Sequence, residues 1–485
     1  MKFILLLSLI TLIIIYLGWL IWKKTYCNNY LFGLILMFFW TFNGAWIFTI
    51  DQLLGAKGAN IGISYYGIFD KIFPVYLDNY YFLSIIYYGI FIIGIQLFIW
   101  IFGAKRDKGK IITFESINIS IQTLSLITIV LIFLNLFIIY PDLKEAVKQG
   151  KSFYFQLNNS TNRFLTIYQL ICKIVAFISF FNLIIYFLEK TDNFFAFKRN
   201  YFTSISVILC LIFVVCFFVL TGNKHDLLFT GVFGLLYMLR KITWKKIINF
   251  IVFSFILLIL FISTDFTRGI QFFSSNNLKQ INLPQTNNSQ TNNSQTNEQT
   301  EIFNNQRQDI NNSFKNFLFH NEMFYAHFSM YGVLSKNIPL TYGKSFNYLI
   351  HSLIPRSIIN ERPEDIYQYY ARSVKVKKGQ GYTIHHATAW YLNFGFLGII
   401  LSVFVVGGIW CLLNNLYFKN TFKNRFFKLF GIVSPFLFVA FLPNLIRSGP
   451  EAYKGVVFES LLIPVLIIYF ASRTNIKIFK NNNTN

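Results

Sequence analysis

Charge is what this chain has least of. Asp, Glu, Lys and Arg make up 13 % of its 485 residues, where a soluble domain carries roughly a quarter. Together with a mean hydropathy of +0.50, this excludes a soluble globular enzyme and a disordered chain. Cysteine is also scarce. Of the five (Cys27, Cys172, Cys210, Cys216 and Cys411), four lie in apolar segments and none forms a CxxC, which excludes a disulfide scaffold and a zinc module. There is no Walker sequence, no zinc spacing, no GxSxG and no Asp-x-Asp pair. The sequence therefore suggests neither a nucleotide-driven nor a metal-driven reaction, and no cofactor. Acidic residues number only 20 against 43 Lys plus Arg, a net charge of +23. In a soluble protein that excess would suggest nucleic acid. In a chain this apolar it belongs to cytoplasmic loops, and no nucleic-acid partner is expected.

What the chain has in abundance is apolar length. Hydrophobic residues reach 55 %, with 59 Phe. Because ~20 apolar residues cross a bilayer once, the runs near 3–22, 30–50, 80–103, 119–140, 164–188, 201–220, 226–239, 247–263, 387–412, 429–446 and 455–472 predict an all-α polytopic membrane protein with about 11 transmembrane helices. The first run lacks a small-residue cleavage site and is expected to stay as an anchor. About eight spans fall in 1–263 and about three, with a tail, in 387–485; between them lies a long loop, 264–386. With the N-terminus outside, 20 of the 43 Lys and Arg fall in inside segments and ten in short outside ones. The positive-inside rule thus favours N-out and C-in. Lys173 alone of these cations is left within a span, either contacting substrate or paired within the bundle.

The long outside loop has two parts. Residues 276–312 are rich in Asn, Gln, Ser and Thr and repeat TNNSQ, a composition that predicts a flexible tether. Residues 313–386 are aromatic and histidine-bearing and are expected to be structured at the interface or folded over the bundle.

Four patches carry residues suited to chemistry. In LIPRSIINERPEDIYQYYARS, Arg356, Arg362 and Arg372 offer planar forks that grip phosphate. In HHATAWYLNFGFLG, His385 and His386 sit at the membrane re-entry as candidate bases, followed by Gly395 and Gly398, which permit close helix approach. In NLIRSGPEAYKG, Arg447, Glu451 and Lys454 crowd one short outside turn. In TGNKHDLL, Lys224, His225 and Asp226 open a helix, and Arg268 lies beyond the eighth span. The predicted topology puts all of them on one side of the membrane.

TGNKHD, GKSFNYLIHSLIPRSIINERPED, HHATAWYLNFGFLG and NLIRSGPE, in that order along the chain, resemble the Wzy-type polysaccharide repeat-unit polymerases, the O-antigen polymerases of bacteria. The resemblance covers 221–455 and is only architectural before that. It implies a metal-independent inverting glycosyltransferase of GT-C type in the inner membrane. Such an enzyme joins undecaprenyl-diphosphate-linked oligosaccharides on the periplasmic face and can work beside a chain-length regulator. On this resemblance the diphosphate is gripped by Arg356, Arg362, Arg447, Arg268, Lys224 and Arg372, and the base is His386, His385 or Glu451. Lys224 stands where such a segment usually has Arg, so the fork is missing there. An O-antigen ligase-type transferase and a lipid-linked oligosaccharide flippase are the alternatives.

Overall fold

The computed structural model describes residues 1–53, 75–104, 117–188, 195–196, 201–238, 244–269, 322–354, 358–359, 361–375, 383–419, 422 and 424–473. The helices in chain order are α1 (Lys2–Thr25), α2 (Asn28–Leu53), α3 (Asn79–Phe102), α4 (Ile121–Gln149), α5 (Phe153–Asn159), α6 (Leu165–Leu188), α7 (Tyr201–Thr221), α8 (Lys224–Met238), α9 (Trp244–Gly269) and α10 (Glu322–Ser335). There follow α11 (Lys344–Ser352), α12 (Ile366–Ser373), α13 (His386–Phe394), α14 (Phe396–Lys419), α15 (Arg425–Ile446), a π-helical segment (Lys454–Leu462) and α16 (Ile463–Arg473). The one strand pairing among the described residues joins β1 (Ile117–Asn118) to β2 (Phe195–Ala196) in parallel.

The protein is an all-α polytopic membrane protein. Nine helices among the described residues are long and apolar enough to cross a bilayer: α1 to α4, α6, α7, α14, α15 and the continuous unit Lys454–Arg473. The other two expected spans correspond to α8, of 15 residues, and to α9, with a shorter apolar stretch at Ile251–Leu260. In lipid only helices and closed barrels satisfy every backbone donor and acceptor internally, so apolar length decides the architecture. The predicted tether at 276–312 lies outside the described residues.

Helix α1 shows how such a span divides its faces. Phe3, Leu7, Ile10, Ile14 and Ile21 are buried while Leu5, Leu9, Leu12 and Tyr16 are exposed. Both faces are apolar because one meets protein and the other lipid. Helix α15 is the axis of the bundle: 89 % of its apolar window is buried, against 33 % for α1. It packs against α2, α8, α14 and the π-helical segment. Asn29 Nδ2 donates to Asn414 Oδ1 at 3.0 Å and to the Pro435 carbonyl at 3.1 Å, tying α2, α14 and α15 together.

Where the sequence reads one run from 387 to 412, the chain forms two helices. Gly395 takes φ +62° and ends α13, a conformation that glycine adopts without a Cβ penalty. A Cβ at Gly398 would stand 2.0 Å from the Trp390 carbonyl, so α14 can start hard against α13 only with glycine there. Helix α10, within the segment expected to form the long outside loop, does not lie on the surface. His327, Phe328, Ser329 and Met330 are buried against α2, α3 and α13. Tyr88 O–H donates to the His327 carbonyl at 2.8 Å, and Tyr81 Oη lies 3.0 Å from His327 Nε2.

Candidate functional site

A cavity of about 510 Å³ opens at one end of the bundle, where three separated segments meet: the α5–α6 connection with the start of α6, the stretch from α11 to Asp365, and the turn between α15 and the π-helical segment. All three belong to loops that the sequence assigns to one side. Arg163, Arg362 and Lys454 bring positive charge to the lining, and Asp365, Glu451 and Glu459 bring negative charge.

Glu451 sits in the turn that follows α15. Its Oε1 accepts from the Ile366 N–H at 3.0 Å, at the start of α12. Its Oε2 is buried without a hydrogen-bond partner among the described residues. Burial, with Asp365 nearby adding charge repulsion, pushes its carboxyl up to about 7, because removing water penalises the anion. Asp365 is fixed as the N-cap of α12, its carboxylate accepting from the Gln368 N–H at 2.6 Å. Arg362 donates from Nη2 to the Ile354 carbonyl at 2.7 Å, while its Nε is buried and has no partner among the described residues. Buried polar groups are nearly always paired. Glu451 and Arg362 both line the cavity, and each keeps one buried polar atom without a hydrogen-bond partner among the described residues.

The two histidines lie deeper and are fully occupied. His386 Nδ1–H donates to the Ser448 carbonyl at 2.8 Å, so its Nε2 carries the lone pair. Trp390 Nε1–H donates to that Nε2 at 2.9 Å, and the Tyr453 hydroxyl lies 2.9 Å from it. His385 caps α13: its Nδ1 accepts from the Ala387 N–H at 3.1 Å, and its Nε2 lies 3.1 Å from Thr41 Oγ1. Burial holds His386 down at about 4 and His385 well below the usual imidazole range, so both rings are neutral. Neither lines the cavity, although His386 supports its wall through Ser448.

The other predicted cations are spread around this centre. Arg447 follows α15, with its Nε donating to Asn444 Oδ1 at 3.3 Å, and it acts electrostatically on Asp226. Lys224 opens α8 and is half-buried. Arg268 falls on the last turn of α9. Arg372 is exposed and paired with Glu364 at 2.8 Å, away from the lining. Arg356 lies outside the described residues.

Sequence reasoning missed Glu459. It is an acidic residue within the last apolar run, and that isolation was its signal. Its Oε2 meets Lys173 Nζ at 2.5 Å and its Oε1 meets Lys454 Nζ at 3.0 Å. Lys173 is thus paired within the bundle. The π-helical backbone is what allows the second contact: Lys454 and Glu459 are five apart, and hydrogen bonds closing at i+5 bring such positions onto neighbouring faces. Arg163 was also missed, because a single arginine in a short loop carries no pattern.

No family model, curated protein or solved structure matches this chain.

Proposed function

We propose that this protein is an inverting, metal-independent glycosyltransferase. It polymerises undecaprenyl-diphosphate-linked oligosaccharide units on the periplasmic face of a bacterial cytoplasmic membrane, with the N-terminus periplasmic and the C-terminus cytoplasmic. The observation that supports this most is the lining of one cavity, which joins Glu451, whose Oε2 has no hydrogen-bond partner among the described residues, to the cations Arg163, Arg362 and Lys454. The resemblance of 221–455 to repeat-unit polymerases supplies the substrate.

Glu451 is the general base. A carboxylate with a pKa near 7 is half-ionised at working pH and still basic enough to accept a hydroxyl proton. The acceptor sugar hydroxyl gives its proton to Glu451 as its oxygen attacks the anomeric carbon. The bond from that carbon to the diphosphate breaks on the opposite side, which inverts the configuration. Arg362, Lys454 and Arg163 neutralise the departing diphosphate, with Arg356 and Arg447 as further cations. His386 and His385 hold the wall, since their ring nitrogens are already engaged.

The test is ladder formation by the purified full chain supplied with lipid-linked repeat units. The wild type is expected to polymerise in the presence of EDTA, and Glu451→Gln to lose ~10²–10⁴ in rate. A metal requirement, or a near-normal rate in Glu451→Gln, sinks the proposal. A transporter for the same lipid is the second reading, favoured by the Lys173–Glu459 pair within the spans. Movement of a labelled lipid-linked unit across proteoliposomes without ladder formation would select it.

A further inference from the structure

The α5–α6 connection is held rigidly against the end of α4. Ser160 Oγ–H donates to Asp142 Oδ1 at 2.5 Å. Asn162 Nδ2 donates to the Ile138 carbonyl at 3.0 Å and to Asp142 Oδ2 at 3.1 Å. With those two side chains committed to the fold, Thr161, Thr166 and Gln169 line the cavity, and their side chains make no hydrogen bond among the described residues.

Thr166, Gln169 and Lys173 stand at i, i+3 and i+7 on α6, a single helical stripe. The stripe runs from the cavity lining toward the Lys173–Glu459 pair. Polar residues along a membrane helix are costly and mark pathways or sites. Lys173 has an internal partner, and the other two have none. Their chemistry is neutral: a hydroxyl and a carboxamide, each both donor and acceptor. Sugar hydroxyls are also both donors and acceptors. A phosphate needs cations, and an acyl chain needs an apolar surface; Thr161, Thr166 and Gln169 offer neither, and the cation between them, Arg163, is the group assigned to the diphosphate.

We infer that this wall is the saccharide subsite of the cavity, with Thr166 and Gln169 as specificity-determining residues and the pinned loop fixing their placement. The inference rests on the glycan-transfer reading for its ligand class, but its test reads binding and needs no turnover.

The probe is the repeat-unit oligosaccharide released by mild acid from the producing cell's own lipid-diphosphate pool, and so free of phosphate. It is titrated against the full-length protein in lipid nanodiscs. Wild type is expected to bind it, and Thr166→Val plus Gln169→Leu to weaken binding about tenfold, the loss of two neutral hydrogen bonds, with an unchanged melting temperature. Should that pair of changes prevent folding, Thr161→Val on the exposed loop makes the same comparison with a smaller expected loss. Equal affinity in wild type and the variant that folds, or no binding to wild type at millimolar saccharide, overturns the subsite. Saccharide binding that depends on these side chains in a protein that forms no ladder leaves the subsite standing and removes the polymerase.

Discussion

The carboxylate of Glu451 occupies the space that a side chain at Gly449 would fill: a Cβ there would stand 2.3 Å from Oε2 and 3.0 Å from Cδ. The turn after α15 is therefore shaped around the carboxylate, and Ile366, whose Cγ2 would lie 2.4 Å from the same Cβ, closes the other side. Gly449→Ala must move the carboxylate. A displacement of about 1 Å at a reacting group costs about a hundredfold in rate. We expect that loss in ladder formation at matched protein level; wild-type rates would mean that the position of this carboxylate is not used.

The raised pKa of Glu451 sets a pH profile. Below about 7 the group is protonated and cannot act as a base. The turnover rate should therefore rise tenfold per pH unit below that point and level off above it. His386, held at about 4, stays neutral throughout and contributes no limb. The same shift has a stability consequence. The folded state holds a proton that the unfolded state releases near the ordinary carboxylate range, so stability falls as pH rises through about 7. Glu451→Gln should melt at a higher temperature than wild type at pH 8, measured in the same detergent, and the gap should close at pH 4.

His386→Ala would leave the Trp390 N–H and the Ser448 carbonyl without their partner. Each unsatisfied buried group costs roughly 1–3 kcal/mol, so the variant should lose several degrees in melting temperature. Unchanged stability combined with abolished turnover would instead make the ring a chemical participant.

The charge triad of Lys173, Glu459 and Lys454 predicts an asymmetry. Lys173→Met leaves Glu459 paired with Lys454, whereas Glu459→Met strands two cations at once. Breaking a buried pair costs about 3–5 kcal/mol, and the second change should be clearly the more destabilising by thermal melt. Equal losses would show that Lys454 contributes nothing to holding the pair.

Much of this protein was legible in its sequence, for a physical reason. A bilayer turns apolar run length into architecture, so the runs from 3–22 to 455–472 announced a helical membrane bundle without any knowledge of contacts. The pairing of Lys173 was legible as one of two possibilities, since an unpaired charge within a span is too costly to leave alone. Glu451 and Arg362 could be named as candidates because each sits in a short run of charges clustered on the predicted outer side. What the sequence could not rank was Glu451 against His386 and His385. That order depends on which atoms are already engaged: Trp390, Ser448 and Ala387 occupy the ring nitrogens, and these are contacts of geometry rather than composition. Glu459 found its second lysine only because a π-helical turn changed which positions share a face. Apolar run length alone fixed membrane residence and the approximate spans, because burial in lipid depends on local composition. That Arg163, Arg362 and Glu451 line one cavity followed from packing, which brings together residues 288 positions apart that no local pattern links.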